Sequence, residues 1–448
     1  MASNRDILEA QRFNRKRLVT AFSSGIPGGR ELEPKSRTAP LIVGIVLSVV
    51  MVIAAVVIGK FSPSLPNGWQ NNTMIMVKGA GARYFTIDGT MRPVTNVTSA
   101  RLLSEPGRYT LSEVSASTVS GIPRGSQVGI VGAPDDVPAA ANLRSDEWTS
   151  CAVNGETRAW VGAAPEGLTA ESVALVRNQD HRYVIAGGLR YEVSESSRSG
   201  VVLALGLEGV ADQPVEADWL ALFEEGTELA PLNVKDAGTP VSGMPHALKS
   251  AVLGSVVEVK DGSSVRRFLV VGDGALAPLT DVAWALYQIS PAGTLMGEPI
   301  SVSVADIADL DVNQESPAPA DWPQTIGTPT PANAPPCGSL VVTDAGVSVK
   351  LGSIPLEDDV ADQPQPTLTV NGGSGALVRT TSGGTLGATM LITDDGLAHG
   401  LGANPTDTLA RLGYQADDVQ VIPAAWAALV PTGVDLTAET AWETVGVQ

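Results

Sequence analysis

The chain has 448 residues, 44% of them hydrophobic and 17% charged, with a formal net charge of −19 and two cysteines. That apolar content is enough to build real cores, and the length leaves room for two to four domains. The acidity argues against a nucleic-acid partner, because phosphate neutralisation needs a basic face.

The head, residues 1–39, is cationic. Residues 1–40 carry eight Lys and Arg against four Asp and Glu, a net of +4, so the remaining 408 residues sum to −23. Ser3 is placed to cap a helix with Asp6 at N3. Arg12, Arg15, Lys16 and Arg17 then form one basic surface, with Phe13, Leu18 and Phe22 offering apolar contact. Two partners fit it: anionic lipid headgroups, or an acidic or apolar face of another subunit.

Residues 40–60 hold the run Leu41 to Gly59, uncharged and with Ser48 as its one polar residue. About 20 such residues cross a hydrocarbon core, so a single transmembrane helix is expected. Lys and Arg beside a first span stay on the cytoplasmic side, which puts the N-terminus in the cytoplasm and the bulk outside. The run is too long and too late for a cleavable signal peptide, and no A-x-A-like site follows it. Gly44 and Ser48 form a small-xxx-small pair, ordinary in a plain anchor.

The outer part contains an internal repeat. Arg83 to Gly89 reads as a strand entering a turn, followed by the Thr90 to Ala100 block; Arg267 to Val271 and Asp273 to Ala283 repeat that pattern. Asp-Gly is a hairpin signal, and Asn96 and Asp281 are suited to cap the helices that follow. Leu205-Gly206 and Leu412-Gly413 end two further helical patterns, with Trp219 and Trp426 thirteen residues later and Gly226 and Gly433 seven beyond each Trp. Asn404-Pro405-Thr406-Asp407 opens a helix with a cap, a Pro at N1 and an acid. The reading is four strand–turn–strand–helix units. Their domain limits are 61–140, 172–235, 236–305 and 385–448, around a β-rich centre in two parts, 141–171 and 306–384. Asn371 to Gly387, with Gly372 to Gly375 and Gly383-Gly384, is glycine-rich and reads as a mobile loop or a hairpin.

Cys151 and Cys337 both follow the span. Outside the membrane a disulfide is the default, with two buried thiols as the alternative. With His181, His246 and His399 they make no zinc spacing. The approach nearest to a P-loop is Gly243 to Ser250, where Leu248 replaces the glycine beside Lys249 and Pro245 removes an N–H, so the segment reads better as a loop leading into a strand over Val252–Val259. No cofactor is expected. Asn96-Val97-Thr98 matches a glycosylation sequon that reads better as a helix cap. Asp394-Asp395 and Asp417-Asp418 read as solvated turn acids.

These residues carry a resemblance. The basic stretch Gln11 to Leu18, the span, the Pro93 to Leu102 block, Val128 to Pro134, Trp148 to Cys151 and Val252 to Val256, in that order, resemble the EccB family of type VII (ESX) secretion systems. The resemblance implies an α/β (α+β) fold: a cytoplasmic helix, one span, and an elongated periplasmic part of four repeats around a central domain. It implies one disulfide, whose counterpart is Cys151–Cys337. It also implies assembly with EccC, EccD and EccE in the inner membrane, with homo-oligomeric contacts. The repeats' similarity to wall-binding modules of phage lysins suggests contact with peptidoglycan. By resemblance Arg12, Phe13, Arg15, Lys16 and Arg17 face a partner subunit. The chain departs from the family in ending soon after the fourth repeat, without a Pro-rich tail. Relatives have been described as ATPases, whereas the residues here lean away from an enzyme. The alternatives are an extracytoplasmic nucleotide hydrolase and a stand-alone peptidoglycan-binding receptor.

Overall fold

A computed structural model describes residues 4–24, 38–60, 65–262, 264–343, 346–355 and 367–443. The chain divides into two compact units, Met1–Ser64 and Leu65–Gln448.

Among its described residues the first unit holds two helices, Asn4–Ser24 and Thr38–Lys60. The second is 23 residues long, about 35 Å at 1.5 Å per residue. Its large apolar side chains from Leu41 to Ile53 are all more than half exposed. The expected span Leu41–Gly59 falls on this helix, but the side chains of 56–59 lie outside the described residues. Among the described residues no helix is long and apolar enough to cross a membrane. Ser3, the expected cap of the first helix, also lies outside them.

Among its described residues the second unit contains five sheets. Four share one topology. In the first, the strand order is Thr90–Pro93, Arg83–Ile87, Thr73–Val77, Thr110–Val114. The outer strand Thr110–Val114 runs parallel to Thr73–Val77, and the helix Val97–Leu103 supplies the crossover that a parallel pair requires. The third sheet follows suit with Ala275–Leu279, Ser264–Gly272, Val256–Asp261 and Ile300–Val302. So does the fourth, with Ala398–Gly400, Thr385–Ile392, Ala376–Ser382 and Gln420–Pro423. The second adds the short edge strand Glu224–Glu225. The strand–turn–strand–helix unit of the sequence is therefore the middle of a longer one, with a strand before it and another after it.

Three local expectations are corrected. Ala376–Ser382 belongs to the fourth sheet, not to the centre, because Gly383 and Gly384 (φ 54° and 77°) turn it straight back into Thr385–Ile392. The cap of the third repeat's helix is Thr280, which accepts from the Ala283 N–H at 3.1 Å; Asp281 stands one place inside the helix. The strand expected from Val252 begins at Val256.

After its fourth strand, each repeat sends a strap back along its third strand, through the pairs Met91–Arg124, Val193–Leu229, Ala275–Asp311 and Ala398–Thr432. This explains the Trp-to-Gly spacing. A Cβ on Gly226 would lie 2.5 Å from the Tyr191 ring, and one on Gly433 would lie 2.6 Å from the His399 imidazole. The strap is glycine where the strand beneath it carries a large side chain.

The repeats pack in nested pairs. The first and fourth share one core, where Met74, Phe85 and Leu102 meet Leu377, Leu409 and Leu412. The second and third share another, where Val184, Tyr191 and Val201 meet Leu269, Leu286 and Tyr287. Between the pairs lies the central sheet, ordered Leu368–Val370, Glu156–Val161, Trp148–Val153, Pro336–Thr343, Gly346–Ser353, Thr169–Ala170. Trp219 of the second repeat and Trp426 of the fourth are fully buried against it with Trp148. Trp148 and Trp426 meet edge to face at 6.4 Å.

Candidate interaction surfaces and the disulfide centre

Cys151 and Cys337 occupy directly opposed positions of adjacent antiparallel strands in the central sheet and are disulfide-bonded. Both are fully buried, beside Val153, Trp160, Leu168 and Ile354. The bond closes a sequence separation of 186 residues, which takes in the second and third repeats whole. Trp219 reaches the same strand, donating its indole N–H to the Ser150 carbonyl at 3.1 Å.

Where the first and fourth repeats meet, a cleft of about 570 Å³ is lined by Arg101, Asp136, Pro138, Ser374, Asp394 and Tyr414. Arg101 donates to both carboxylate oxygens of Asp136, at 2.8 and 3.2 Å, and stacks over Tyr109. Tyr414 donates to the Pro138 carbonyl at 2.6 Å, and burial pushes its hydroxyl above the ordinary tyrosine range. Beside the cleft, Arg411 of the fourth repeat donates to the carbonyls of Leu102 (3.1 Å) and Ser104 (2.6 Å). These carbonyls end the first repeat's helix, where no intrahelical donor reaches them and the helix dipole favours a cation. Asp407 holds the other side of Arg411 at 2.6 Å. The contacts of Arg411 to Leu102 and Ser104 have no local sequence signal, because the partners stand about 300 residues apart.

The segment resembling a P-loop does another job. His246–Leu248 is a 3₁₀ turn, Leu248 is fully buried, and the chain leads on into a strand rather than a helix. The sequon Asn96 is 5% exposed; its carboxamide caps the Ser99 N–H and donates to the Ile130 carbonyl. Asp395 accepts from Thr393 and the Leu397 N–H, and Asp418 caps the turn at Gln415. His399 is fully buried, with Nδ1 2.8 Å from the Val434 carbonyl.

The residues read as partner-facing all lie on the helix Asn4–Ser24. Arg12, Phe13 and Lys16 share one side at i, i+1 and i+4 spacing, with Arg15 and Arg17 to either side of it. Phe13 is 57% exposed.

A family model described as "Type VII secretion system ESX-1, transport TM domain B" matches residues 1–446. Among curated relatives, the ESX-2 secretion system ATPase EccB2 of Mycobacterium tuberculosis is 28% identical over 289 residues, 60% of this chain and 55% of that protein. The ESX-3 secretion system ATPase EccB3 of the same species is 26% identical over 417 residues, 80% of this chain and 74% of that one. The match thus spans about half the length of the first relative. A chain in the structure of an intact ESX-5 inner membrane complex is similar in fold, with a TM-score of 0.66 at 21% identity over 100% of this chain and 96% of its own. The EccB3 dimer from the ESX-3 core complex gives 0.65 at 23% identity, covering 83% and 99%.

Proposed function

The chain belongs to the EccB family of type VII secretion proteins, and from that premise we propose that it is a structural subunit of an ESX inner-membrane complex. One match running over residues 1–446 supports this, because it takes in head, apolar helix and body together. In this reading the helix Thr38–Lys60 is a single transmembrane span, the N-terminal helix is cytoplasmic and the body is periplasmic. The charge split of +4 against −23 supports that orientation. The domain organisation we propose is head 1–39, span 40–60, four repeats and a two-part centre, with the fourth repeat beginning at Ala376. EccC, EccD, EccE and further copies of this chain are the proposed partners, and peptidoglycan is the proposed contact beyond them. Arg12, Phe13, Arg15, Lys16 and Arg17 form the proposed cytoplasmic contact. The test is a mild-detergent pull-down of the tagged full-length protein from its native membrane. Recovery in one large particle with EccC, EccD and EccE is the expected result. Recovery alone overturns the subunit role in favour of a wall-binding receptor. Charge reversal at Arg15 and Lys16 should weaken that recovery, and undiminished co-purification removes the head from the interface.

A second reading, a nucleotide hydrolase, is favoured by the word ATPase in the relatives' names. Lys249→Ala separates the two. Loss of ATP turnover by a clean preparation would establish hydrolysis at Gly243–Ser250, and unchanged turnover discards that segment.

A further inference from the structure

The surface of the N-terminal helix has a second side. Successive helical residues turn by about 100°, so Ile7, Leu8, Leu18, Val19 and Phe22 fall within an arc of about 120°. These side chains are 50%, 58%, 60%, 62% and 88% exposed. Phe13 stands diametrically opposite the middle of that arc. We propose that the apolar arc lies in the interface of the membrane's anionic cytoplasmic leaflet, parallel to its surface. This rests on the reading of Thr38–Lys60 as a span.

Charge complementarity selects lipid as the occupant. Arg15 lies within the arc, beside Gln11, and Arg12 borders it. The helix's acids, Asp6 and Glu9, both fall outside it. An Arg whose stem lies along apolar side chains can lift its guanidinium to headgroup phosphates. Chain length supplies the second argument. Thirteen residues separate Ser24 from Thr38, a reach of at most about 45 Å when fully extended. The Phe22 end of the arc is therefore tethered within about that distance of the bilayer, and docking is intramolecular. Phe13, Lys16 and Arg17 point away from the lipid in this arrangement and stay available to a protein subunit, while Arg12 and Arg15 turn to the headgroups, so the protein contact proposed above narrows to those three residues.

The test uses the full-length protein. Among the described residues there is no free cysteine, so a thiol introduced by Phe22→Cys, Phe13→Cys or Ser48→Cys is labelled selectively with an environment-sensitive fluorophore. Each labelled protein is placed in nanodiscs of phosphatidylcholine alone and with added phosphatidylglycerol, and quenched with iodide. The label at position 22 should be shielded in the anionic discs, that at 13 should stay quenchable, and that at 48 should be shielded in both. Arg12→Gln with Arg15→Gln should lower the shielded population's partition on the order of thirtyfold, from about fivefold per cation. A position-22 label quenched alike in both discs, with 48 shielded, overturns the lipid contact and leaves the span standing. Equal shielding at 13 and 22 overturns it in favour of a protein cover or a second copy. Quenching at 48 overturns the span and the lipid contact together.

Discussion

Arg411 offers the sharpest test of the nested pairing. Arg411→Met keeps an unbranched apolar stem and removes the charge and donors. The Leu102 and Ser104 carbonyls lose their donor; both residues are fully buried. A hydrogen bond to a charged group is worth about 1.5–3 kcal/mol, so two bound the loss at about 3–6 kcal/mol. The Arg411 side chain is 22% exposed, and water entering beside the methionine will satisfy part of what is lost. The expected cost is therefore about 2–4 kcal/mol, with Arg411→Lys recovering roughly half through one retained bond. Urea denaturation of residues 65–448 measures the total. Hydrogen exchange locates it: amides of Val97–Leu103 and Pro405–Leu412 should exchange faster, while those of the second–third pair keep their protection. A loss below about 0.5 kcal/mol, or equal loosening of both pairs, refutes the view that this contact joins the first repeat to the fourth.

The remaining predictions concern the centre and the second–third pair. Cys151→Ser with Cys337→Ser should destabilise the body by up to about 5 kcal/mol, the chain-entropy value for a loop of this length; reductant should reproduce the loss in the wild type, and insensitivity to both would count against the disulfide as a main restraint. Burial pushes the Tyr191 and Tyr287 hydroxyls up to about 12 from an ordinary 10.0. Because their folded-state values are raised, their contribution is intact below pH 10 and is lost as pH climbs towards 12. Denaturation midpoints should therefore fall only above pH 10, in step with a late tyrosinate absorbance change, and a decline beginning below pH 9 would point to other groups. Gly226→Ala drives a methyl into the Tyr191 ring and should cost about 1–3 kcal/mol, part of which Tyr191→Leu in the same chain should restore; a neutral Gly226→Ala would remove the packing account of that glycine.

What was legible in the sequence was what local backbone chemistry dictates. Asp88-Gly89 announced a hairpin because the pair takes positive φ, 48° and 73°. Asn96 and Gly413 marked helix ends for equally local reasons: a side-chain acceptor, and a left-handed residue at φ 93°. The family-bearing blocks were also readable, and with them the disulfide partners. Thr280 and Asp281 are adjacent and both able to cap, so the choice waited on the extended backbone of Thr280. The fourth strands, as short as Gln213–Pro214, carry no pattern of their own and exist because the first strand offers an edge to pair with. The pairing of first with fourth and second with third was not legible at all. It is written in contacts such as Arg411 to the Leu102 carbonyl and the Leu232 N–H to the Leu286 carbonyl, whose partners stand too far apart in the chain to signal one another locally.

Nesting imposes a timetable on synthesis. The second and third repeats are consecutive in the chain, so their shared core can close as soon as the third is made. The first repeat must wait for the fourth. Its half-core of Met74, Phe85 and Leu102 has no partner until Leu377 and Leu409 are made, about 240 and 270 residues after its own last core position, Val137. At about 5–20 residues per second that delay is on the order of tens of seconds. Throughout it, a greasy, half-built module follows the apolar helix Thr38–Lys60 in the chain, ready to seize the wrong neighbour. Quality control for this protein is therefore most needed at its beginning, and a ribosome stalled anywhere before Ala376 leaves a product whose earliest-made module is the one left unsealed.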